Sequence, residues 1–181
     1  MARELELKFK LESSKEYIER LRQNGVSLSP PVQQCDTIFF RSGKCFQDLP
    51  GGEPVIRIRQ ANHTIKTTVK RYIMGIAARE EVECVITDVD SFKKYLSILD
   101  FFPIVIVKKE RRKGSYRGTT ITVDRVEGLG DYTEIEIVTQ DESVCGLEII
   151  KRVANELGLE ERHLVSTPYD EMLFMKGENN D

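Results

Sequence analysis

The chain has 181 residues, 40% apolar and 31% charged, which suits one folded domain with a sizeable core and excludes a disordered or fibrous protein. Lysine and arginine number 27 against 30 aspartates and glutamates, and the net charge of −3 excludes nucleic-acid binding through bulk positive charge. MARELELKFK is charged from its third residue, and the longest mainly apolar stretch, Ile98 to Val107, is broken by Asp100 and Pro103, so neither a secretory leader nor a membrane span is expected and the location expected is cytoplasmic.

In chain order, period-two alternation predicts a first strand over 3–10. A helix over 13–24 follows, opened by the capping box Ser13-x-x-Glu16 and stopped at Gly25, with Tyr17, Ile18 and Leu21 on one face. Strands are expected over 36–41, 54–60, 63–71 and 78–87, then a helix over 90–99 carrying Phe92, Tyr95, Leu96 and Leu99. Three more strands, 103–112, 118–125 and 132–139, precede a helix over 141–157, with Thr139-x-x-Glu142 as its cap, and a short helix near 169–175. Gly128-Leu129-Gly130 reads as a turn and not as a phosphate loop, because no helix starts there. Eight strands joined by short turns predict an α+β fold: a mostly antiparallel closed β-barrel with helices packed outside. One domain over 1–176 with a flexible tail at 177–181 is expected.

Cys35, Cys45, Cys84 and Cys145 form no CxxC pair, so they read as reduced thiols, and His63 and His163 sit in no triad-like arrangement. The chemistry lies instead on the strands' polar faces. Glu4, Glu6, Lys8 and Lys10 alternate with Leu5, Leu7 and Phe9; Arg57 and Arg59 alternate with Ile56 and Ile58. Lys66, Thr68 and Lys70 share a face, as do Arg79, Glu81 and Glu83, Lys109 and Arg111, Thr120, Thr122 and Asp124, and Glu134 and Glu136. Any one such strand reads as a solvated outer face. The set as a whole mixes acids and bases with little neutral filler, and charges facing a barrel interior would need partners. A polyphosphate with divalent cations would meet that need: lysines and arginines for phosphate oxygens, carboxylates for Mg²⁺ or Mn²⁺.

At these residues the sequence resembles the CYTH superfamily, the triphosphate tunnel metalloenzymes that include class IV adenylyl cyclases and thiamine triphosphatases. The family's ExExK stands here as Glu4-Leu5-Glu6-Leu7-Lys8. It is followed in family order by Gln34-Cys35-Asp36-Thr37, Arg57-Ile58-Arg59, Thr67-Thr68-Val69-Lys70 and Arg79-Glu80-Glu81-Val82-Glu83. Then come Lys109-Glu110-Arg111, Val123 to Gly130, Glu134-Ile135-Glu136 and Tyr169 to Leu173. Within the family the sequence most resembles the class IV cyclase branch, with two departures: Ile38-Phe39 stands where Tyr-Phe is expected, and Ser166-Thr167-Pro168-Tyr169 carries extra residues where Ser-Tyr is usual.

The resemblance implies that Glu4, Glu6, Asp124, Glu134 and Glu136 are metal ligands or their supports, and that Lys8, Arg57, Arg59, Lys70, Lys109 and Arg111 bind phosphate. Lys66 and Arg79, with Glu81 and Glu83, would complete the lining either as binders or as supporting ion pairs. Glu4, Glu6, Lys8, Lys109 and Arg111 are the implied catalytic set. The implied activity is metal-dependent cyclisation of ATP to cyclic AMP and pyrophosphate. Hydrolysis of thiamine triphosphate or tripolyphosphate stays open as the alternative, and a non-catalytic nucleotide or polyphosphate sensor as a third. A nucleoside or other organic triphosphate is the expected partner, nucleic acid and membrane are not, and a homodimer is compatible with the resemblance.

Overall fold

The computed structural model describes residues 3–72, 79–139 and 145–178. Its strands are β1 (Arg3–Lys10), β2 (Val32–Arg41), β3 (Val55–Ala61), β4 (Thr64–Tyr72), β5 (Arg79–Val85), β6 (Phe101–Tyr116), β7 (Thr119–Val126) and β8 (Gly130–Thr139). The helices are α1 (Ser14–Gln23), α2 (Val89–Ile98), α3 (Cys145–Glu156) and α4 (Tyr169–Glu178). The expected cap at Thr139–Glu142 and most of the tail after 176 lie outside the described residues.

The strands hydrogen-bond in the order β1-β8-β7-β6-β2-β3-β4-β5 as an eight-stranded sheet, and the registers of β1·β8, β8·β7, β7·β6, β2·β3, β3·β4 and β4·β5 are all antiparallel. The eight mostly antiparallel strands expected from the sequence are present, and among the described residues the pairing order runs from β1 to β5 without confirming closure into a barrel.

The contacts divide the chain into two compact units, residues 1–32 with 109–167 and residues 33–108 with 168–181. In the first, α1 and α3 cover one face of β1, β8 and β7. Tyr17 and Leu21 of α1 and Ile150, Val153 and Leu157 of α3 meet Phe9, Ile121, Val123 and Ile135 in one core, each burial contributing about 1.5–3 kcal/mol. The Ser13 hydroxyl accepts from the Glu16 N–H at 3.3 Å, capping α1 as its sequence predicts. Arg117 and Gly118, both left-handed (φ 47° and 79°), make the two-residue turn from β6 to β7. Gly114 must lack a side chain, because a Cβ there would lie 2.7 Å from the Ser27 carbonyl oxygen where Leu28 bridges to the strand.

In the second unit, α2 packs Leu96 and Phe92 on Phe39, Ile56, Ile58 and Phe101. A second cluster, Ile38, Phe40 and Phe46 with Ile104, Val105 and Phe174, sits on the other side of β2. Phe46 belongs to a 3₁₀ turn over Phe46–Gly51 that no periodicity announces, and its ring contacts Phe40 at 5.0 Å and Phe174 at 5.4 Å.

Candidate functional site

In the first unit, register puts the expected residues in rows across four strands. Glu6 faces Glu136, which faces Thr120; Lys8 faces Glu134, which faces Thr122; Asp124 faces Arg111. Alternation sends these side chains to the face opposite the α1–α3 core. Arg111 donates from Nε to Asp124 Oδ1 at 2.7 Å, and its Nη2 contacts both Asp124 Oδ2 and Glu134 Oε2. The Lys109 ammonium lies 3.7 Å from Asp124, both side chains being almost wholly buried. Thr122 donates to Glu134 at 3.3 Å. The arrangement is a charge network centred on Asp124, one arginine held by two carboxylates, with the geometry that suits a guanidinium fork. Lys8 is buried and donates to the Thr167 carbonyl at 2.6 Å.

In the second unit, Asp36 faces Arg59 and Arg59 faces Lys66; Ile38 faces Arg57, Arg57 faces Thr68 and Thr68 faces Glu83; Lys70 faces Glu81. Arg59 makes a bidentate pair with buried Asp36 at 2.7 and 2.6 Å. Lys66 pairs with Glu83 at 2.7 Å and Lys70 with Glu81 at 2.9 Å. The Lys66 contact, against a small opposing cost of burial, holds the Glu83 carboxyl below its ordinary range.

Arg57 differs. It donates to Thr68 Oγ1 at 3.3 Å, while its buried Nε has no hydrogen-bond partner. Burial first, and then repulsion from Arg59, lowers its pKa, against weaker attraction from Asp36, Glu81 and Asp170. A partly desolvated guanidinium with an unsatisfied N–H is a site that an anion would stabilise.

Glu4 and Arg79 stand in β1 and β5, with side chains outside what is described. Among the described residues no group of three or more His, Cys, Asp or Glu converges as a metal cage. The expected site residues did not include Asp36, Thr122 or Thr167, although Asp36 stood in the family-order motif and Thr122 on the polar face with Asp124; Thr167 carried no signal because its contribution is a backbone carbonyl 159 residues away from Lys8. A separate open cleft of about 510 Å³, lined by Lys10, Leu11, Glu12, Arg125, Gly130, Asp131 and His163, is crossed by the Arg125–Asp131 ion pair and holds none of the carboxylates above.

The CYTH domain matches residues 2–169 of the sequence. The chain belongs to the CYTH family. A protein of Methanocaldococcus jannaschii named "Putative adenylate cyclase" is 24% identical over 173 residues, covering 93% of this chain and 97% of the relative. Among solved structures, the PH1819 protein of Pyrococcus horikoshii superposes with a TM-score of 0.79 at 28% identity, over 96% of this chain and 99% of that one. A Hippeastrum adenylyl cyclase homologue, described as having a dominant triphosphatase activity of its own, shares the fold at TM-score 0.68 and 16% identity, over 98% and 96% of the two chains. The CYTH fold of this chain is thus an antiparallel eight-stranded sheet with helices. No described helix is long and apolar enough to cross a membrane.

Proposed function

We propose that this CYTH protein is a divalent-metal-dependent enzyme acting on a triphosphate, and that its reaction is the cyclisation of ATP to cyclic AMP and pyrophosphate. The observation that carries the anionic substrate is Arg57, half-buried and short of one acceptor, while its described neighbours Arg59, Lys66 and Lys70 are each matched with a carboxylate. The cyclase reading draws on the Methanocaldococcus relative, which aligns over nearly the whole chain.

Lys8, Lys109 and Arg111 in the first unit, and Arg57, Arg59, Lys66, Lys70 and Arg79 in the second, are assigned to phosphate oxygens. Lys66 and Lys70 would exchange a carboxylate partner for phosphate, a swap between anions at side chains still open to water. Asp124 and Glu134 act through Arg111, fixing its fork before substrate arrives. Glu6 and Glu136, directly opposed across β1 and β8, with Glu4 further along the strand, fit Mg²⁺ or Mn²⁺, because such ions are commonly held by one or two carboxylates together with the substrate's phosphates. Bound there, an ion would supply charge neutralisation and a more acidic hydroxyl at the attacking ribose oxygen. Lys109 and Arg111 would stabilise charge building on the leaving pyrophosphate.

The test is to incubate the protein with ATP or tripolyphosphate and Mg²⁺ or Mn²⁺, and to resolve the products. Cyclic AMP with equal pyrophosphate is expected. Orthophosphate without cyclic AMP would overturn cyclisation and make the protein a triphosphatase; absence of both turnover and binding would overturn the triphosphate assignment. E136Q should lower turnover on the order of a hundredfold while the circular dichroism spectrum stays unchanged.

A further inference from the structure

We propose that Thr167 is a positioning residue for Lys8, its backbone carbonyl setting where the Lys8 ammonium stands on the charged face of the first unit. The inference deepens the phosphate-binding reading above and rests on it for its functional meaning. The segment before α4 lies along β1: Leu164 bridges antiparallel to Phe9, and the Val165 N–H donates to the Lys8 carbonyl at 2.8 Å. Two residues further on, the Thr167 carbonyl accepts from Lys8 Nζ at 2.6 Å. The same short segment therefore grips both the backbone and the side-chain tip of one lysine.

The local sequence fixes this grip. Thr167 precedes Pro168, and the residue before a proline is driven from the helical region into extended backbone; β-branching stiffens it further. The carbonyl is thus aimed before any ligand arrives. A carbonyl acceptor orients an ammonium through a directional hydrogen bond and carries no formal charge of its own. A four-carbon side chain otherwise loses considerable rotamer freedom when it closes on an anion, and ordering it beforehand reduces that cost.

The test uses the full-length protein with V165P, which deletes the N–H that tethers the segment. Leu164 already has φ −66° and ψ 133°, a conformation compatible with a following proline. Two measurements are made. Acylation of Lys8 by a limiting amine reagent, read by mass spectrometry against Lys15 as an internal standard, is expected to rise several-fold in V165P. Tripolyphosphate affinity, measured by calorimetry with Mg²⁺, is expected to fall about tenfold, as for loss of one well-placed charged hydrogen bond. In a K8M background V165P should cause no further loss, which a merely structural role for the segment would not produce. P168A, which releases the backbone restriction on Thr167, should move both readouts the same way by a smaller factor. Unchanged labelling and affinity in V165P would overturn the proposal, as would an equal affinity loss with and without Lys8. If the wild-type protein binds no tripolyphosphate, the phosphate reading fails instead, and the labelling result alone decides whether Thr167 orders Lys8.

Discussion

The charged faces of the two units use the same residue types and neutralise them differently. In the first unit Arg111 is shared by Asp124 and Glu134, Lys109 stands beside the same aspartate, and that aspartate is fully buried. In the second, Lys66–Glu83 and Lys70–Glu81 are separate pairs on neighbouring strands, with side chains between a quarter and a half exposed. Among the described pairs of this unit, Arg59–Asp36 comes nearest to the buried arrangement. Breaking a buried pair strands a charge away from water, whereas breaking an exposed one lets water substitute. One face is therefore held rigidly by its own charges, and the other can exchange partners at little cost.

That contrast breaks most directly at Arg111. R111M should cost about 3–5 kcal/mol in urea unfolding, because it leaves Asp124 and Glu134 uncompensated. Arg57 is the opposite case: R57M should lower tripolyphosphate affinity by about 10- to 100-fold, the range of one to two charged hydrogen bonds, with no loss of thermal stability since a desolvated charge is removed. Asp131 gives a smaller effect outside both faces. Burial opposes its ionisation, but the Ser14 backbone N–H at 2.7 Å, the Ser14 side chain and Arg125 outweigh burial and hold its pKa below the ordinary value. Its contribution is accordingly complete above about pH 4 and declines as pH falls through the lowered folded-state value. D131N should cost about 1 kcal/mol at neutral pH and flatten that acid limb in denaturation curves. E83Q should change unfolding by no more than about 0.5 kcal/mol, and a larger loss would mean that the second face is less adjustable than its exposure indicates.

Alternation made most strands legible: β1 spans the residues its pattern predicts, and β3, β4 and β7 each begin and end one residue later than predicted. β6 runs from 101 to 116, longer than the predicted 103–112, because Pro103 and Gly114 look like terminators; Gly114 is there for Leu28 to approach the strand. β2 begins at Val32, just after Pro31, where the alternation is too polar to show. The 3₁₀ turn at Phe46 was hidden because so short an element has no period to read. Of the candidate site, residue types and strand faces were readable, since both are local properties. Who holds whom was not: Arg111 between Asp124 and Glu134 depends on register among three strands. Strand number and antiparallel pairing were legible because both follow from alternation and short turns, whereas closure depends on long-range pairing that alternation does not encode.

The division of the chain bears on heredity as well as on mechanics. Each unit is assembled from two separated stretches, and β6 contributes residues to both, the boundary falling between Lys108 and Lys109. No single cut in the gene releases either unit, and no single crossover with a relative exchanges one for the other without splitting a strand. A redesign of one charged face therefore has to be written as substitutions spread over two stretches of sequence, and cannot be made by transplanting a contiguous piece of chain.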